Sequence, residues 1–396
     1  MKISSRGVNM PASPIRKLVP YAEIAKKRGI KVYHLNIGQP DIPTPEVFFN
    51  AIRNHSEEVV AYSHSAGIYN LREAFSKYYR SWGIDVSPDE IIVTNGGSEA
   101  IIFAIGSIAD PGDELIVIEP FYANYKGFAS MLNVKLVPVS ANVTDGYRLP
   151  PIELFEKALS NKTRGIIFSN PSNPTGVVYT REELEALLDF ARAHDLFVIT
   201  DEVYREFVFD GKNTVPVLSL DESERIIIVD SISKRYSACG ARVGTFLTKN
   251  KELYNTVMKF AQARLSPPTM AQVGTIGLLN LGKDYTDNIR EEYQKRRDIV
   301  FEELSKIDGV IMQKPEGAFY ISVKLPVKNS EDFVRWMLTD FDVGGETTMV
   351  APLQGFYATP GMGASEIRIA YVLSAENLRK ACEIIRLGLE KYLGSL

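Results

Sequence analysis

Residues 225–244 read RIIIVDSISKRYSACGARVG. The run 226–229 is short, β-branched and uninterrupted, which predicts a strand buried on both faces. It leads into Ser231, Ser233 and Lys234, and Arg242 follows eight residues after the lysine. A second apolar run, 196–200, ends in Asp201, with Tyr204 three residues on. Strands that carry such residues at their carboxyl ends predict an open sheet with a site beyond that edge.

Outward from this stretch, short apolar runs alternate with amphipathic ones from about residue 90 to 248. Runs at 91–94, 115–118, 165–169, 196–200, 226–229 and 244–247 predict strands, and 98–109 and 181–194 predict helices. The alternation predicts a three-layer α/β fold around a doubly wound, mainly parallel sheet. Beyond about 285 the rhythm changes to a charged helix at 285–307, a strand-like run at 317–323 and a closing helix at 375–393. A smaller α+β domain is expected there. The division is a large domain of 39–285 and a small one of 1–38 with 286–396, and a chain of 396 residues is long enough for two.

Composition narrows the function classes. Lys and Arg number 45 against 49 Asp and Glu, evenly mixed, which argues against nucleic acid or an anionic membrane as partner. Two cysteines, Cys239 and Cys382, make no disulfide framework and fit a reducing compartment. No apolar run approaches the ~20 residues of a membrane span. Residues 1–20 have no apolar core of signal-peptide type, so a cytoplasmic protein is expected. No metal site is expected.

Several residues invite chemistry. Lys234 forms an imine only while its amine is neutral, a state that neighbouring cations such as Arg235 and Arg242 favour. Asp201 at a strand end is a turn former or a partner for a basic nitrogen. Asn170-Pro-Ser-Asn173-Pro-Thr-Gly176 makes a rigid loop holding an amide. Gly96-Gly97-Ser98 opens a helix, where backbone amides favour a phosphate. Tyr122 offers a flat π-face. Arg368, inside an apolar run, offers a fork for a carboxylate, or is an outward arginine on a surface strand. Gly38 precedes Pro40 in a turn, and Tyr62 is one of 19 tyrosines, for which packing is the default.

In this order and at these intervals, from Gly38 to Arg368, the motifs resemble the class I, fold type I aminotransferases, aspartate aminotransferases above all. The resemblance implies pyridoxal 5'-phosphate as cofactor, carried by Lys234 as a Schiff base. It assigns Gly96, Gly97, Ser98, Ser231 and Arg242 to the cofactor phosphate, and Asp201 to the ring nitrogen. Tyr204 and Asn173 fall to the ring oxygen and Tyr122 to the ring face. Gly38, Asn173 and Arg368 fall to the substrate, with Arg368 on its α-carboxylate. Lys234, Asp201 and Tyr204 are then the catalytic set. Tyr62 would reach the phosphate of a neighbouring subunit, implying a homodimer with shared sites. The expected reaction is ping-pong transfer from an L-amino acid, aspartate favoured, to a 2-oxo acid such as 2-oxoglutarate. Aromatic or other neutral donors, or carbon–sulfur β-lysis, are the alternatives.

Three positions depart from the family. Ser98 stands where one subgroup has a lysine for the substrate's second carboxylate. Ala261 falls where another has a partner-subunit arginine, counting back from Pro267-Pro268, with Arg264 three residues later. Tyr125 replaces a histidine that supports the ring-nitrogen aspartate. Arg264 and Arg16 are left as candidates for a distal carboxylate.

Overall fold

In a computed structural model, which describes residues 1–394, the run 226–229 lies inside a strand, Ile226–Ser231, that is buried at every position. A first strand, β1 (Lys31–His34), joins the small sheets described below. The main sheet holds β2 (Ile91–Thr94), β3 (Glu114–Glu119), β4 (Lys135–Ser140), β5 (Thr163–Ser169), β6 (Phe197–Asp201), β7 (Ile226–Ser231) and β8 (Gly244–Leu247). Their order is β2-β8-β7-β6-β5-β3-β4. All are parallel except β8, which runs against both β2 and β7.

Period-two alternation sorts the strand side chains onto two faces. Ile226 and Ile228 pack with Leu71, Phe75, Leu184 and Leu187. Ile227 and Val229 pack with Ala100, Ile101, Phe128 and Val257 on the other face. Helices such as Tyr69–Ser81 and Arg181–Ala193 cover the first face, and Gly96–Ile108 and Lys251–Ala263 the second. The latter two thus complete three layers around a sheet whose buried side chains each contribute roughly 1.5–3 kcal/mol. Helix Arg181–Ala193 starts at a capping box, Thr180 with Glu183.

A second core gathers around a four-stranded antiparallel sheet. Its strands are β9 (Ile311–Met312), β10 (Tyr320–Lys324), β12 (Ala351–Pro352) and β13 (Glu366–Ala370), while β1 pairs in parallel with β11 (Glu346–Met349). Helices Lys283–Ser305, Ser330–Thr339 and Ala375–Gly394 pack around them.

The strands expected from sequence are all present. The helix expected at 98–109 begins two residues earlier, at Gly96, so both glycines lie in its first turn. Strand β4 was not expected. Pro138 interrupts its apolar run, and β4 tolerates it because it sits at the edge of the sheet.

Candidate active site

The carboxyl ends of β2, β3, β5, β6 and β7 meet at one edge of the sheet, and the reversed β8 begins there. A cavity of about 510 Å³ opens at this edge. Gly38, Gly97, Ser98, Tyr122, Asn173, Asp201, Tyr204, Ser231, Lys234, Arg242 and Arg368 all line it. Residues as far apart in sequence as Gly38 and Arg368 are thereby brought to one place. Gly96 lies directly behind, where a Cβ would come within 2.3 Å of an Arg242 guanidinium nitrogen. Tyr62 does not line this cavity; it is 80% exposed on the surface.

Lys234 sits on a single turn of helix, Ile232–Arg235, capped by Ser231, whose hydroxyl accepts from the Ser233 amide. Its Nζ donates to the Gly38 carbonyl at 2.6 Å and lies 3.7 Å from the Cys239 sulfur. The turn is anchored from below by buried charges. Arg235 binds both carboxylate oxygens of Asp230, Arg205 reaches Asp230 at 3.2 Å, and Arg205 pairs with Glu202 at 2.6 Å. Burial pushes the Asp230 carboxyl up, but Arg235 and Arg205 outweigh it and hold it below the usual range. Arg235 is therefore spent on Asp230 beneath the site. Of the two cations expected beside Lys234, only Arg242 shares its cavity.

Asp201 is buried at the end of β6. It accepts from the Tyr125 hydroxyl at 3.0 Å and from the Val203 amide at 3.3 Å. Tyr125 thus supports Asp201 from the position where the resemblance implied a histidine. Burial pushes the Asp201 carboxyl up to about 6, against these two hydrogen bonds that pull it down. Between the ordinary carboxylate range and that value, the folded chain holds a proton the unfolded chain has lost. Stability from this group is intact at low pH and is lost as pH rises to about 6. Asp201→Asn is expected to stabilise the cofactor-free protein by on the order of 2 kcal/mol at pH 7.5 and by nothing below about pH 4. Urea unfolding at the two pH values checks this. An equal gain at both would show that Asp201 is not the group titrating.

Arg368 lies on β13 with 1% of its surface exposed, which removes the outward-arginine reading. It donates to Asn173 Oδ1 at 2.9 Å and to the Asn36 carbonyl at 2.6 Å. Its Nε is buried without a partner, and no carboxylate pairs with it among the described residues. Burial lowers its pKa accordingly. A buried guanidinium without an anion is costly unless a ligand supplies one. Tyr204 and Tyr320 share a hydroxyl contact of 2.8 Å beside it, and Tyr320 also fills the space a side chain at position 38 would need. Tyr122 crosses Tyr125 edge to face at 5.5 Å.

Sequence reasoning missed Tyr320, Asn36, Asn124 and Cys239. Tyr320 was visible only as part of a strand-like run, and Asn36 only as a neighbour of Gly38.

The set suits pyridoxal phosphate on its own geometry. Arg242 packs on Gly96 at the start of a 13-residue helix, and with Gly97 and Ser98 it faces the cavity, a place that favours a phosphate. The hydroxyls of Ser231 and Ser233 lie alongside, 2.7 Å apart. Asp201 is buried, and among the described residues no cation is hydrogen-bonded to it, which leaves its carboxylate for a protonated ring nitrogen.

Comparison with known proteins agrees. Residues 30–385 match the family described as aminotransferase class I and II. The chain is 29% identical over 405 residues to an aspartate aminotransferase of Bacillus subtilis, covering 99% of this chain and all of that one. It is 31% identical to an aspartate/prephenate aminotransferase of Thermus thermophilus, over 90% of this chain and 91% of the other. An alanine aminotransferase structure from Pyrococcus furiosus superposes with a TM-score of 0.90 at 30% identity, covering 98% of this chain and 100% of that one. With its site residues gathered and its full length matched, the chain belongs to the class I and II aminotransferases, transaminases that work with pyridoxal phosphate.

Proposed function

We propose that this transaminase takes its amino group from aspartate first among L-amino acids and passes it to 2-oxoglutarate, in two half-reactions at one site. The observation that carries the reading is the number of guanidinium groups lining the cavity: Arg16, Arg242 and Arg368. A phosphate on the cofactor and two carboxylates on the substrate give each of them one anionic group. A monocarboxylic substrate leaves one guanidinium without such a partner.

Arg242, Ser231, Gly96, Gly97 and Ser98 would hold the cofactor phosphate, Asp201 the ring nitrogen, Tyr204 and Asn173 the ring oxygen, and Tyr122 the ring face. When bound, pyridoxal phosphate supplies an aldehyde and a ring that draws electrons from the substrate's α-carbon. Arg368, with Asn173 and the Gly38 backbone, orients the α-carboxylate by a two-pronged hydrogen bond. Lys234 Nζ, held 2.6 Å from the Gly38 carbonyl, lies close to where the α-carbon then sits. It takes the α-proton there and returns it later, as base and then acid. Asp201, kept from water by burial, holds its charge against the ring nitrogen.

The working unit is a homodimer, in which Tyr62 serves the site of a second subunit. What supports this is its exposure beside the apolar Val59 and Val60, which are 70% and 65% exposed. Sedimentation as a monomer would remove this part. The division into 39–285 and 1–38 with 286–396 puts Asp201 and Lys234 in one unit and Arg368 in the other. A cytoplasmic setting is supported by two cysteines left as free thiols.

The test is a panel of amino donors with 2-oxoglutarate, scored by glutamate formed. Aspartate is expected to exceed alanine and phenylalanine by about tenfold or more in kcat/KM. Preference for phenylalanine would replace aspartate by an aromatic donor. Release of ammonia and pyruvate without glutamate would point to β-lysis.

A further inference from the structure

We infer that Arg16 grips the distal carboxylate of the substrate and so sets the preference for dicarboxylic amino acids. This rests on the dicarboxylate reading above and names the residue behind it.

Both family solutions for that carboxylate are absent from this chain, and of the two arginines that sequence offers, geometry separates them. Arg264 is engaged elsewhere: it pairs with Glu99 at 3.2 Å, donates to the carbonyls of Ser65 and Val93 at 3.0 and 3.3 Å, and does not line the cavity. Arg16 does line it, and among the described residues its guanidinium has no hydrogen bond or ion pair. The next residue, Lys17, faces the other way and pairs with Glu331 at 2.7 Å.

The segment carrying Arg16 is seated firmly. Pro14 packs so closely on Gly355 that a Cβ there would lie 2.2 Å from the proline ring. The carbonyl of Ile15 accepts from Asn36 Nδ2 at 3.0 Å, and the Asn36 carbonyl accepts from Arg368 at 2.6 Å. One asparagine therefore ties the backbone beside Arg16 to the guanidinium assigned to the α-carboxylate. Two arginines placed through a single shared residue, one buried and one free at the cavity wall, offer a dicarboxylate one guanidinium for each end. The remaining cavity cations, Lys234 and Arg242, already have tasks. A planar fork recognises a carboxylate bidentately, so lysine at position 16 would not substitute fully.

The experiment measures calorimetric binding of succinate and propionate to the holoenzymes of wild type, Arg16→Ala and Arg16→Lys, alongside kcat/KM for aspartate and alanine. In Arg16→Ala the ratio of succinate to propionate affinity is expected to fall about tenfold or more, and the aspartate-to-alanine ratio of kcat/KM to fall with it. Arg16→Lys is expected to recover part of both. If the wild type favours succinate and Arg16→Ala keeps that preference, this inference fails while the dicarboxylate reading stands. If the wild type itself does not distinguish succinate from propionate, the dicarboxylate reading fails and this one with it.

Discussion

Lys234→Ala is expected to cut turnover by roughly 10²–10⁴-fold from lost proton transfer alone. Among the described residues no other carboxylate or imidazole lines the cavity beside Asp201, which is turned toward Tyr125. Cys239 lies 3.7 Å from the lysine amine and is the side chain to check if turnover remains. Single-turnover conversion of aspartate to oxaloacetate reads the effect, and added methylamine is expected to restore part of it in the space left by the side chain. The Asp230–Arg235–Arg205 anchor below keeps the helical turn in place, so melting is expected to change little. A variant that retained a tenth of wild-type turnover would show that another group moves the α-proton.

Arg368→Leu carries the second large effect. Removing one partner of a buried, hydrogen-bonded charge contact costs ~2–5 kcal/mol, so kcat/KM for aspartate is expected to fall between roughly 30-fold and several thousand-fold. Arg368→Lys is expected to recover little, because an ammonium cannot reproduce the planar fork. Stability is expected to move the other way. In the protein without ligands, Arg368 is a buried cation with no anion, so an apolar side chain of similar length removes a desolvation burden. Urea midpoints for Arg368→Leu no lower than wild type, with the kinetic loss intact, meet the expectation. A variant that unfolds early and binds the α-carboxylate normally would mean that the arginine is structural.

Much of this arrangement was legible in the residues. The run 226–229 has no polar interruption, so burial on both faces follows from composition alone. The helix expected at 285–307 appears at Lys283–Ser305 because its charged stripe and apolar stripe have the right period. What escaped depends on pairing rather than on local pattern. The antiparallel direction of β8 is set by its neighbours, and a run of four residues reads the same either way. β4 was hidden by Pro138, whose tolerance depends on an edge position. In the site, residues with distinctive chemistry at strand ends were visible: Lys234, Asp201, Arg242. Tyr320 and Asn36 were not, since each matters through long-range contacts, Tyr320 with Tyr204 and Gly38, and Asn36 with Arg368 and Ile15. Arg235 was assigned an influence on Lys234 that its contact with Asp230 takes away.

The reversal of β8 has a consequence for how this enzyme can vary. Because the strand doubles back, one short span of chain, 234–242, supplies both the amine proposed as base and the guanidinium proposed for the phosphate. The two travel as a cassette whose length cannot change by a single residue without pulling them out of step. Arg16 and Arg368 come from stretches far apart in sequence, linked through Asn36, and are free of that constraint. New donors are therefore reached by altering the chain's beginning or its closing sheet, while the cassette stays as it is.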